Sequence, residues 1–344
     1  MLAKTVAACM IVKNEEKLLP QCLESIKDVV DAIILVDTGS TDRTMEIAKE
    51  YGCIIHEHPW QDDYSEARNY ALAKVPLRYD RIFVIDADEK LYAEDKELFR
   101  QAVQADARMV KFRVYSETAA GMAMHWMIRI WDNGFVHYRG RKHNQICYHQ
   151  ACIGGLSEAR LHHYGYNLSR EAMEKKWKEA ARLIRLQLED EPDNAFYHAN
   201  LIQVYRCQEK WQEIADIFES FRAKKGGRKE LLRMTLDYIF ALIYLKRFDD
   251  ACSYCTRYLN AEPDDIDAWY YMGLITAMQE RYAQCLLCFD KYLKLLSTAK
   301  SRAQDSNKTV YTWGAETGAF GVLGRVFYRG IMKKKLSIVD LEKG

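Results

Sequence analysis

Short apolar runs alternate with amphipathic stretches along the first part of the chain. The apolar runs predict buried strands at 6–12, 32–36, 53–56 and 82–85. Apolar residues at helical spacing predict helices over 15–26, from about 41 to 51, and over 66–74. Strands that alternate with helices predict a mostly parallel sheet with right-handed crossovers. Ser40 or Thr41 is expected to cap the second helix, and Ser65 the third.

The pattern changes twice further along the chain. Alternating apolar and polar positions over 109–115, 122–131 and 135–138 predict antiparallel strands. After residue 165, aromatic residues and leucines recur at helical spacing only. The predicted fold class is therefore an α/β domain followed by an all-α domain.

Acidic residues follow three of the predicted parallel strands. Asp86 and Asp88 flank Ala87 directly after the strand at 82–85, and Asp37 ends the strand at 32–36. Asn14 and Glu15 follow the first strand. Since carboxyl ends of parallel strands share one edge of a sheet, these residues are expected to converge at a ligand site. Their hard oxygen atoms favour Mg²⁺ or Mn²⁺, although the acids could also begin a solvated turn or cap a helix.

A repeat signal runs through the helical part of the chain. The position that is small in tetratricopeptide repeats falls at residues 180, 214, 251 and 285, close to the 34-residue period of that motif. This spacing predicts about three and a half repeats over 167–298, with a loop insertion around Gly226 and Gly227. Two C-x-x-C pairs, at 252/255 and 285/288, have zinc-site spacing, but on helices they also suit packed thiols.

Composition and charge exclude several classes of function. Fifty Lys and Arg residues balance 49 Asp and Glu residues, so nothing favours bulk nucleic-acid binding. No apolar run is long enough to span a bilayer, no signal peptide is apparent, and the ten cysteines lie mostly in apolar patterns. We therefore expect a cytoplasmic protein. The tail at 299–344 is expected to be a linker followed by a segment that caps the last repeat or mediates homodimerisation, rather than a membrane contact.

Two common nucleotide-binding motifs are missing from the sequence. A dinucleotide-binding Rossmann fold needs G-x-G-x-x-G after the first strand, where this chain has K-N-E-E. The P-loop pattern G-x-x-x-x-G-K-[ST] does not occur either. The acidic strand ends therefore favour a different kind of nucleotide site.

Four motifs together resemble family 2 glycosyltransferases of the GT-A fold: M-I-V-K-N-E-E, L-V-D-T-G-S-T-D-R-T, A-R-N-Y-A-L and I-D-A-D-E. The resemblance covers roughly the first 165 residues. It implies inverting transfer of a sugar from a nucleotide diphosphate sugar, usually a UDP-sugar. In that family the matching residues bind the donor, which implies this role for Val12, Asn14, Glu15, Asp37, Arg68 and Asp86. Asp88 would bind Mn²⁺ or Mg²⁺ and act in catalysis.

Two histidines extend the resemblance. The segment R-G-R-K-H-N resembles one that usually ends G-R-x-H-E, so Asn144 replaces an acid of the family. Asn144 cannot take a proton, which leaves His143 as the candidate base or as a residue that only positions the substrate. The segment L-H-H-Y-G-Y resembles the end of these catalytic domains and implies that His163 is a metal ligand, unless it is simply packed at the domain junction.

Family 2 domains fused to tetratricopeptide repeats resemble bacterial enzymes that glycosylate peptides and proteins, including bacteriocin S-glycosyltransferases and flagellin glycosyltransferases. The predicted domains are a GT-A domain at 1–166, repeats at 167–298 and the tail. A peptide or protein acceptor would dock on the repeats and be modified at Ser, Thr or Cys. The alternatives are transfer to a cell-envelope glycan or lipid-linked acceptor, and a non-catalytic repeat scaffold with a relic sugar domain.

Overall fold

The computed structural model describes residues 3–118, 121–148, 154–164, 169–223 and 228–306. The chain divides into two compact units, 1–187 and 188–344. The strands in the described part of the chain all lie in the first unit. They are β1 (Val6–Val12), β2 (Ala32–Asp37), β3 (Ile54–Glu57), β4 (Arg81–Val84), β5 (Glu89–Leu91), β6 (Met109–Thr118), β7 (Gly121–Asp132), β8 (Val136–Arg139), β9 (Gln145–Tyr148) and β10 (Gly154–His163).

The helices occur in both units. They are α1 (Leu19–Ile26), α2 (Thr44–Glu50), α3 (Tyr64–Ala73), α4 (Lys96–Gln104), α5 (Arg170–Asp190), α6 (Ala195–Cys207), α7 (Trp211–Ala223), α8 (Arg228–Tyr244), α9 (Phe248–Ala261), α10 (Ile266–Met278) and α11 (Tyr282–Ser306). A 3₁₀ turn, Ala93–Asp95, leads into α4. The predicted fold class, a mixed and mostly parallel sheet followed by a helical region, is confirmed.

Eight strands form one sheet in the order β3-β2-β1-β4-β7-β6-β10-β5. β1 pairs in parallel with both β2 and β4, so the strand ends that carry the predicted acids lie side by side. Val12 is in register with Asp37, and Cys9 with Val84. β7 runs antiparallel between β4 and β6, as its sequence pattern predicted, whereas β8 and β9 form a separate hairpin.

The core lies on both faces of the sheet. Ala8 and Met10 of β1 face one apolar cluster together with Phe83, and Ala7 and Cys9 face the other. A strand with apolar residues at consecutive positions suits this arrangement, because both of its faces are buried. The continuous apolar run of β1 therefore predicted its place at the centre of the sheet.

The predicted helix starts were wrong by several residues. α3 begins at Tyr64, because the Asp63 carboxylate accepts hydrogen bonds from the Ser65 and Glu66 backbone N–H groups. Ser65 therefore lies inside the helix and does not cap it. α2 begins only at Thr44, beyond Ser40 and Thr41. The predicted first helix is likewise shorter, since α1 begins at Leu19.

Helices α6 to α11 form three successive helix pairs. The residues at the predicted small position, Ala180, Ile214, Ala251 and Cys285, are all buried. α5, which carries Ala180, belongs largely to the first unit. The Cys255 thiol donates a hydrogen bond to the Ala268 carbonyl oxygen at 3.3 Å, so it packs against the next helix pair. α11 continues to Ser306, so the prediction that a linker begins at residue 299 was wrong. The predicted loop insertion and the segment 307–344 lie outside the described residues.

Among the described helices, none combines the length and the apolar character that crossing a membrane requires.

Candidate active site

A cleft of about 460 Å³ opens where β1, β2 and β4 end. This volume lies within the usual range for small-molecule sites. The lining residues that the sequence predicted are Val12, Glu15, Arg68, Asp86, Asp88 and His163. The others are Ile11, Lys13, Thr38, Trp60, Tyr64, Ala87, Lys142, Lys176 and Glu179. The structure therefore brings six of the predicted site residues to one cavity in the first unit.

Asp86 is held by two arginines. Arg68 of α3 donates from Nη2 to its Oδ1 at 2.7 Å, and Arg129 of β7 donates from Nη1 to its Oδ2 at 3.5 Å. Burial alone would raise the pKa of Asp86, but the two guanidinium groups outweigh it and hold that pKa well below its usual range. Asp86 is therefore ionised and fixed in orientation.

Arg129 also connects Asp86 to a second buried carboxylate. Its Nη2 donates to Glu89, whose side chain is 1% exposed, and the Asp86 backbone N–H donates to Glu89 Oε2 at 3.1 Å. Burial raises the pKa of Glu89 in spite of the arginine. Sequence analysis missed Arg129, because an arginine inside an apolar strand pattern carries no motif. The only available signal was a charged residue that its apolar strand would bury, with the acids at the end of another strand as possible partners.

Asp88 has a different partner. Its Oδ2 lies 3.2 Å from Nε2 of His163, which reaches the cleft from the end of β10. Ser116 Oγ lies 3.1 Å from Nδ1 of the same imidazole and helps to orient it. Burial would lower the pKa of His163, but the hydrogen bond and charge of Asp88 outweigh it and raise that pKa. The structure thus places together the two residues that the sequence predicted as metal ligands.

Three carboxylates, those of Glu15, Asp86 and Asp88, lie close enough to repel one another and form the acidic edge of the cleft. Burial, followed by repulsion from Asp88 and Asp86, raises the pKa of Glu15 to about 7. A divalent cation would relieve this repulsion, and a carboxylate with an imidazole is a suitable donor pair for Mn²⁺. Within the described residues, no group of three or more His, Cys, Asp or Glu side chains is placed to hold a metal.

Two predicted donor-binding residues stabilise the loops around the cleft rather than lining it. The Asp37 carboxylate accepts hydrogen bonds from the backbone N–H groups of Gly39 and Ser40, at 3.0 Å each. Asn14, in the left-handed region at φ 57°, accepts from the Thr41 N–H at 2.7 Å. The Asn14 bond joins the loop after β1 to the loop after β2, whereas the Asp37 bonds hold the second loop to the end of β2.

His143, the predicted base, is exposed and is not among the lining residues. It follows Lys142, which does line the cleft. Its φ of 52° lies in the left-handed region, where residues other than glycine are uncommon, although histidine is among the more frequent of them. The amide nitrogen of Asn144, beside it, is buried and has no hydrogen-bond partner among the described residues. The structure therefore brings the 140–144 segment to the cleft through Lys142 rather than through His143.

A family model, described as "Glycosyl transferase family 2", matches residues 7–160. A TPR repeat-containing protein of Synechococcus elongatus is 30% identical over 293 residues, which is 80% of this chain and 70% of that protein. The chain belongs to glycosyltransferase family 2. The family resemblance predicted from the sequence motifs is therefore confirmed, and 12 of the 15 residues that line the cleft lie within the matched range.

Other relatives match shorter parts of this family 2 glycosyltransferase. Glycosyltransferase SunS, from the SPbeta prophage of Bacillus subtilis, is 29% identical over 210 residues, 55% of this chain. Those residues span only 46% of SunS. Glucosyl-3-phosphoglycerate synthase of Mycobacterium tuberculosis, solved with Mn²⁺ and UDP-glucose, overlaps 33% of this chain and 44% of its own at 23% identity. Its TM-score of 0.28 is too low to bear on the chemistry here.

Proposed function

We propose that this glycosyltransferase moves a sugar from a UDP-sugar to a peptide or protein side chain, with inversion and with a divalent cation. The observation that carries the proposal is the acidic edge of the cleft, where Glu15, Asp86 and Asp88 crowd together beside His163. A buried cluster of carboxylates favours a cation, and a cation in turn favours a diphosphate.

The donor-binding roles follow from the family resemblance and from the hydrogen bonds around the cleft. Asp86, ionised and held by Arg68 and Arg129, can accept hydrogen bonds from ribose hydroxyl groups. Val12 and Glu15 line the cleft where the uridine would lie. Asn14 and Asp37 would act on the uridine through the loops that they fix, which differs from the direct role that the family resemblance implies.

Asp88 and His163 would hold the cation, Mn²⁺ or Mg²⁺. A bound cation would neutralise the negative charge that develops on the departing diphosphate. Ser116 Oγ, 3.1 Å from Nδ1 of His163, orients the imidazole. Loss of such a partner typically costs about 10–100-fold in metal affinity or activity.

His143 is our candidate for the general base that activates the acceptor. A general base must reach the acceptor hydroxyl rather than the donor, so exposure before the acceptor binds is consistent with that role. It is adjacent to Lys142 of the cleft, which keeps it close to the donor. A cysteine acceptor would need less help from a general base, because thiols ionise nearer to neutral pH than hydroxyl groups do.

The helix pairs from α6 to α11 suggest the acceptor class. Stacked helix pairs present an extended surface suited to a polypeptide segment. Transfer to a cell-envelope glycan or lipid-linked acceptor would not need such a surface. We therefore favour a polypeptide acceptor that docks on these helices.

Titration calorimetry with UDP tests the donor site. We expect UDP to bind in the presence of Mn²⁺ and to bind much more weakly after chelation of the metal. Incubation with a panel of UDP-sugars and Mn²⁺ should then show slow release of UDP with one of them. Equal affinity with and without metal would contradict the cation role, and no binding in either case would favour the relic scaffold.

A further inference from the structure

β7 extends past the end of its neighbour β4. It pairs with β6 along most of its length, but with β4 only over 130–132. Because β4 and β7 are antiparallel, the residues of β7 before 130 run beyond the carboxyl end of β4, where Asp86 lies. Among the described residues, no backbone hydrogen bond joins 123–128 to a strand other than β6. We call this stretch, residues 123–128, the β7 edge.

A β-bulge separates the β7 edge from the part of the strand that pairs with β4. Val110 of β6 is in register with Ile130 and Lys111 with Ile128, so Arg129 is the extra residue on β7. Arg129 is the residue that reaches Asp86 from β7. A bulge bends its strand, which explains why β7 leaves β4 at this point.

The β7 edge lacks the features that usually prevent a strand from pairing with another chain. Natural edge strands are commonly protected by lysine, proline or other charged residues. The β7 edge reads A-M-H-W-M-I and contains no proline, lysine, arginine or acid. Trp126 is 37% exposed and Met127 is 41% exposed. Apolar side chains are therefore exposed on a strand that a further strand could extend.

The β7 edge lies next to the cleft. Ser116 Oγ of β6 lies 3.3 Å from Nε2 of His125 and 3.1 Å from Nδ1 of His163. His163 lines the cleft and is a predicted metal ligand. A chain that pairs with β7 would therefore pass close to the site of sugar transfer.

We propose that the β7 edge binds the polypeptide acceptor by strand addition, in addition to its docking on the helix pairs. This inference rests on the proposed function, because it states how the acceptor is held beside the donor. Main-chain hydrogen bonds hold an added strand, whereas a glycan or a lipid-linked saccharide has no polypeptide backbone to offer. Since side chains alternate between the two faces of a strand, every second acceptor side chain would face the cleft.

N-methylated peptides test strand addition directly. The probes are mixtures of decapeptides with a central Ser and any residue except Pro elsewhere, either unmodified or methylated at all even or all odd backbone nitrogens. Amide hydrogen exchange of the β7 edge would be followed by mass spectrometry on the full chain, without donor. We expect the unmodified mixture to slow this exchange about tenfold or more. One methylated mixture should have the same effect and the other none, because alternate residues bond to the same neighbouring strand.

A lysine on the β7 edge provides the second test. Trp126→Lys should abolish the slowing by the unmodified peptides, because a charged edge residue disfavours strand pairing. UDP affinity with Mn²⁺ should stay that of the wild type, since Trp126 does not line the cleft. Leu77→Lys, at an exposed leucine outside both β7 and the cleft, is the matched control and should change neither quantity. If Trp126→Lys does not fold, the methylated peptides on the wild type decide alone.

Each contrary outcome has a distinct meaning. No slowing by the unmodified mixture overturns strand addition, and so do equal effects of the two methylated mixtures, which would indicate binding through side chains. A dimer that Trp126→Lys dissociates, in a protein on which the peptides have no effect, would mean that the edge pairs with a second copy of the chain. A protein that shows the expected alternation but binds no UDP would contradict the proposed donor while leaving the acceptor edge intact.

Discussion

Buried charges are arranged differently in the cleft and in the helical unit. At the cleft, burial and neighbouring like charges raise the pKa of Glu15 and lower the pKa of Lys142. In the helical unit, Arg206 of α6 donates to Asp237 of α8 and, at 2.8 Å, to the Tyr271 hydroxyl of α10. Its guanidinium also lies 4.1 Å from the Phe240 ring centre.

The comparison separates a binding role from a stabilising one. The Arg206 cluster is charge-balanced and joins the first helices of three successive pairs, so it needs no ligand. The cleft keeps like charges close together at a cost in stability, which a ligand of the opposite charge would remove. Groups whose pKa values are shifted in this way are concentrated at functional sites.

Asp88→Ala should give the largest effect at the cleft. We expect sugar transfer to fall by about 1,000-fold or more, because a cation that stabilises the departing diphosphate loses one of its ligands. Thermal unfolding should be unchanged or occur at a slightly higher temperature without metal, since a repelling charge has been removed. Asp28→Ala is the control, because Asp28 pairs with Lys96 at 3.1 Å outside the cleft. Near wild-type turnover in Asp88→Ala would exclude Asp88 as a ligand.

Arg206→Met should show the opposite pattern. It leaves the largely buried Asp237 carboxylate without its cation, and breaking such a pair costs about 3–5 kcal/mol in the free energy of unfolding. UDP affinity should remain that of the wild type. Urea unfolding followed by circular dichroism would measure the loss. Arg247→Met, which breaks exposed pairs with Glu219 and Asp250, should cost no more than about 1 kcal/mol.

His143→Ala tests the acceptor side of the cleft. If His143 is the base for a hydroxyl acceptor, kcat should fall by about 100-fold or more, with UDP affinity unchanged. Steady-state kinetics with the acceptor and calorimetry with UDP separate the two quantities. His137→Ala, at another exposed histidine on β8, is the control. A loss below about threefold would mean that His143 only positions the substrate or has no role.

Sequence patterns predicted the acidic residues of the cleft better than its lysines. Asp86, Asp88 and Glu15 follow buried strands, and neighbouring parallel strands must bring such residues together. Lys142 and Lys176 follow no such rule. Their positions depend on hydrogen bonds between 140–142, α3 and α5, which no periodicity encodes.

Local hydrogen-bonding competition explains the errors in the predicted fold. Ser65 and Asp63 are both good caps, and the structure uses the carboxylate, which accepts two N–H bonds. The strand pattern of β1 and β4 was unambiguous because both faces are buried. The neighbouring strands cover β10 unevenly, so its buried and exposed residues alternate over only part of its length. Its sequence pattern therefore did not predict a strand.

Glu15→Gln gives the smallest expected effect and tests the repulsion at the acidic edge directly. The folded state holds a proton on Glu15 up to a pKa of about 7, against 4.5 for an ordinary glutamate, so the free energy of unfolding should fall as pH rises from about 5 to 7. Glutamine cannot ionise and avoids this loss. Without metal, Glu15→Gln should therefore melt a few degrees higher than the wild type at pH 8, and nearly equally at pH 5. Adding Mn²⁺ at pH 8 should reduce the difference, because the cation relieves the repulsion in the wild type.

Glu57→Gln, at an exposed residue of β3, should follow the wild-type curve throughout. A Glu15→Gln protein that is less stable than the wild type at pH 8 without metal would mean that the ionised carboxylate is already compensated by the protein, and the acidic edge would then resemble the balanced Arg206 cluster.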